Sequence, residues 1–91
     1  MNFTTEQKNI ICDLFQEYER EELEYTPEHL QEIDYNSFLG YAELMLASRN
    51  YCDDSNKVEQ ELISILLSNR TKNDEYSDEL INAFKNALIN Q

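Results

Sequence analysis

Residues 4–18, TTEQKNIICDLFQEY, hold the first regular element of the chain and decide what kind of fold follows. Thr4 and Gln7 stand three apart in the S/T-x-x-E/Q form of a capping box, in which each side chain satisfies a backbone N–H near the other. Behind that start, Ile11, Leu14, Phe15 and Tyr18 recur at i, i+3, i+4 and i+7, with Ile10 on the flank. This spacing predicts an amphipathic helix reaching about Glu24, roughly 30 Å long at the helical rise. The face opposite the apolar stripe carries Asp13, Glu17, Glu21 and Glu24, at steps of four, four and three. One turn of helix separates neighbours by about 6 Å, so the pattern places a row of carboxylates along the outside.

The helical signature continues downstream. Thr26-Pro27 is the strongest punctuation, since proline fits the first helical position and disfavours helical geometry in the residue before it. A short helix from Pro27 to about Asp34 is expected, with Leu30 and Ile33 turned inward. Asn36 or Ser37 is the expected cap of a third helix, with Phe38, Tyr41, Ala42 and Met45 on one stripe and Leu39 and Leu46 broadening it. Gly40 inside that stripe costs about 1 kcal/mol relative to Ala, which points to a close helix contact there. After the loop-like Asn50–Lys57 stretch, Asn56 and Glu59 form a second cap signal. Val58, Leu62, Ile63, Ile65, Leu66 and Leu67 cover more than half of the next helix, marking it as the most buried. Tyr76, Leu80, Ala83, Phe84, Ala87 and Leu88 predict the last helix. One Gly and one Pro leave too few special turn positions for an all-β fold. The expectation is an all-α protein, a compact single-domain bundle of four to five short helices over residues 1–91.

Charge separates the function classes. Seven Lys/Arg stand against nineteen Asp/Glu in 91 residues, for a net charge of −12. Direct binding of nucleic acid through its phosphates needs clustered cations, and is excluded. The acid is also unevenly placed. Residues 1–48 hold eleven acids and two bases, whereas residues 49–91 hold eight acids and five bases. Between Arg20 and Arg49 no base occurs, while Glu21, Glu22, Glu24, Glu28, Glu32, Asp34 and Glu43 do. Such asymmetry marks an interaction surface.

The residue types of catalysis are sparse. His29 is alone, which excludes the two-histidine zinc-protease helix, and one Gly excludes a glycine-rich phosphate loop. Reading residues 26–37 as a calcium loop puts Thr26 at the first ligand, Gln31 at the glycine position and Ser37 at the bidentate glutamate, so every decisive position fails. Cys12 and Cys52 are widely spaced, and no secretory pattern opens the sequence, so a cytoplasmic protein with free thiols is expected. No apolar run approaches the roughly 18 residues of a membrane helix. The chain reads as a non-enzyme without cofactor or metal.

The expected function is that of an acidic inhibitor whose carboxylate rows imitate nucleic acid and occupy a basic surface on a partner protein, a nuclease or another nucleic-acid-binding protein. An inhibitor of a host defence nuclease carried by a phage or mobile element (anti-restriction or anti-CRISPR type) fits, as does an immunity or antitoxin protein that neutralises a nuclease toxin. The partner-binding candidates are Asp13, Glu17, Glu21, Glu24, Glu28, Glu32 and Asp34, with Tyr25 and Tyr35 as anchors because Tyr concentrates interface energy. The alternative class is a helical adaptor or self-associating protein that uses an apolar stripe, for which Leu23 and Leu44 are the unexplained residues.

Overall fold

A computed structural model describes residues 2–22, 33–50, 56–70 and 75–89. Four helices stand among them: α1 (Thr5–Glu22), α2 (Tyr35–Asn50), α3 (Lys57–Asn69) and α4 (Asp78–Ile89). The all-α bundle read from the sequence is therefore the fold. The short helix expected from Pro27 lies outside the described residues up to Gln31 and Glu32, while Ile33 and Asp34 are not helical.

Each described helix start is chemically defined. At α1 the capping box closes in both directions: Thr4 N–H donates to Gln7 Oε1 at 2.9 Å, and Gln7 N–H donates to Thr4 Oγ1 at 3.1 Å. At α3, Asn56 Oδ1 accepts from Glu59 N–H at 2.8 Å. The cap of α2 is Asp34, not Asn36 or Ser37. Its carboxylate accepts from the backbone N–H of Asn36 and Ser37 and from the Ser37 hydroxyl. An anion at this end also favours the positive end of the helix dipole. At α4 the Ser77 hydroxyl accepts from Leu80 N–H at 3.3 Å. Tyr76, expected on that helix, precedes it and forms an isolated antiparallel bridge with Arg70.

The core is a single cluster to which all four helices contribute. Helix α1 supplies Ile11, Leu14 and Tyr18; α2 supplies Phe38, Leu39, Ala42 and Leu46; α3 supplies Leu62 and Leu66; α4 supplies Leu80, Phe84, Ala87 and Leu88. Phe38 is its hub. That ring meets Phe15 at 5.8 Å, Tyr18 at 5.5 Å and Phe84 at 6.1 Å, all edge-on, the arrangement that aligns ring edges with neighbouring faces. Helix α1 packs on α2, α3 and α4, and α2 packs on α3 and α4.

Two expectations are corrected by the packing. Helix α3 is not the most buried: only Leu62 and Leu66 are fully covered, and Leu67 is 54% exposed. Its apolar residues exceed the arc that α1 and α2 can cover. Among the described residues Gly40 makes no close helix contact either, since a Cβ built on it would meet nothing within 4 Å. Cys12 is buried, with its Sγ 3.7 Å from the Ala87 carbonyl oxygen, and Cys52 lies outside the described residues.

Candidate functional site

The first-half carboxylates fall into different environments once α1 and α2 are packed. Asp13 is exposed on the outer side of α1. Glu17 turns toward α2, where Arg49 Nη2 donates to Glu17 Oε1 at 2.6 Å. The other guanidinium nitrogen of Arg49 reaches Glu59 of α3 at 3.9 Å, so one cation joins three helices. Glu21, one turn beyond Glu17, is exposed and accepts from the Tyr41 hydroxyl at 3.2 Å. Asp34 is exposed but committed to capping α2. Tyr35 is half-buried against the core, and this burial raises its phenol pKa. Glu24, Tyr25, Glu28 and Glu32 lie outside the described residues.

The row free of bases in sequence is therefore not free of them in space. Arg49 comes from the far end of α2 to neutralise Glu17, and Arg20 is exposed in the last turn of α1. Sequence spacing cannot show Arg49 arriving, because 32 residues separate it from Glu17. Tyr41, read as a stripe residue, has its ring 5.4 Å from Tyr18 and its hydroxyl at Glu21. Its phenol pKa is raised, first by burial and then by the hydrogen bond and negative charge of Glu21, with Glu17 adding and Arg49 opposing. Tyr41 thus remains a neutral donor beneath an anionic edge.

A second polar cluster has no signal in the sequence spacing. Arg70 Nη1 lies 3.2 Å from Glu43 Oε1, the Tyr76 hydroxyl donates to Glu43 Oε2, and the Arg70 guanidinium lies 6.0 Å from the Tyr76 ring centroid. Tyr76 is 6% exposed, and its pKa is pushed up to about 12 by burial first, then by the bond to Glu43 and its charge, against the opposing pull of Arg70. This cluster fastens the start of α4 to the middle of α2. Its groups satisfy one another, which gives it a structural role.

Chemistry elsewhere is limited. Among the described residues no group of three His, Cys, Asp or Glu is placed to hold a metal ion, and no buried side-chain nitrogen or oxygen lacks a partner. A shallow hollow of about 600 Å³ beside α3 is lined by Gln7, Lys57, Gln60, Glu61, Ser64 and Ile65. Gln7 Nε2 lies 3.4 Å from Glu61 Oε2 across that hollow, while its Oε1 serves the α1 cap. No nucleophile–base pair converges there. No helix among the described residues is long and apolar enough to cross a membrane. No protein-family model matches the chain, and neither a curated protein nor a solved structure shows significant similarity to it.

Proposed function

We propose that this protein is an acidic inhibitor that docks on a basic, nucleic-acid-binding surface of another protein, with a nuclease as the target class. The observation that carries the reading is how two of the arginines are used. Arg49 and Arg70 are held in ion pairs between helices, so they offset Glu17, Glu59 and Glu43 internally. Asp13 and Glu21 are left exposed on α1, in a chain whose net charge is −12. Carboxylates fixed on a rigid helix attract a Lys/Arg groove as phosphates do, and the attraction raises association rates while weakening with salt. A phage or mobile-element inhibitor of a defence nuclease uses this chemistry; an immunity protein uses it against a nuclease toxin.

The test is capture of partners from the native host at low salt, followed by salt elution. A basic nuclease is expected in the eluate, and its kind separates the defence target from the toxin target. Replacing Asp13, Glu21, Glu24 and Glu28 with Lys should then weaken binding at least tenfold, with circular dichroism unchanged. Unchanged affinity at low salt refutes the proposal.

One observation favours a second reading. Leu44 is 65% exposed on α2. Binding through an apolar stripe, rather than through carboxylates, accounts for that residue.

A further inference from the structure

We draw no further inference here: the strongest candidate, the hollow beside α3 lined by Gln7, Lys57, Gln60, Glu61, Ser64 and Ile65, lies open to solvent, the buried Gln7 amide that faces it is already bonded to Thr4 and Glu61, and nothing in the structure shows what fills it.

Discussion

Replacing Tyr76 with Phe removes one hydroxyl from the cluster that ties α4 to α2, and its effect on stability should depend on pH in a defined way. The folded-state pKa of about 12 exceeds the ordinary tyrosine value of 10. The native protein therefore keeps this proton at pH values where the unfolded chain has lost it. Stability falls as pH rises wherever the native state binds more protons, so the contribution is complete below about pH 10 and is lost on approaching pH 12. A shift of two pKa units corresponds to at most about 2.7 kcal/mol. Glu43 and Arg70 retain 15% and 37% side-chain exposure, and solvent screening at that edge reduces the figure to about 1–2 kcal/mol. Tyr76→Phe leaves Glu43 paired with Arg70, so no carboxylate is abandoned. The assay is urea unfolding of both proteins, followed by far-UV circular dichroism, from about pH 9 to about pH 12. Wild type should exceed the variant by about 1–2 kcal/mol at the lower end and converge on it at the upper end. Other tyrosines and lysines titrate in both proteins and cancel in the difference. A gap between the two that stays constant across the range refutes the reasoning.

Two further substitutions address packing and helix propensity. Gly40→Ala should stabilise the protein by about 0.5–1 kcal/mol, because the added methyl meets nothing among the described residues and the unfolded chain loses freedom; a lower urea midpoint counts against the packing described for α2. Phe38→Ala, at the fully buried aromatic hub, should cost about 3–5 kcal/mol, a large share of the stability of a domain this size, and a loss below about 1 kcal/mol shows that the hub is misidentified.

The elements legible in the sequence were those fixed by neighbours in sequence. Thr4 and Gln7 close their box locally, Asn56 caps Glu59 locally, and the Ile11–Tyr18 stripe needs only helical periodicity. Tyr76 reads as helical because its apolar spacing to Leu80 and Phe84 imitates a helix, whereas a bridge to Arg70 and a bond to Glu43 hold it outside one. Leu67 reads as covered because periodicity counts apolar residues but not the surface available to cover them. The candidate site divides along the same line. Asp13 and Glu21 remain exposed as their spacing implies, whereas Glu17 is neutralised by an arginine brought by the tertiary fold and Asp34 is drawn into a cap.

The pairing of α1 with α4 also bears on how the chain reaches its fold during synthesis. Cys12 meets Ala87 across 75 positions, and Phe3 packs edge-on to Phe84 at 5.2 Å. The first helix therefore cannot complete the cover of Phe3 and Cys12 until Phe84 and Ala87 have left the ribosome. In the interval α2 is present without α4 to cover Phe38. Nascent chains halted before residue 78 should recruit holding chaperones, and chains extended through Leu88 should release them.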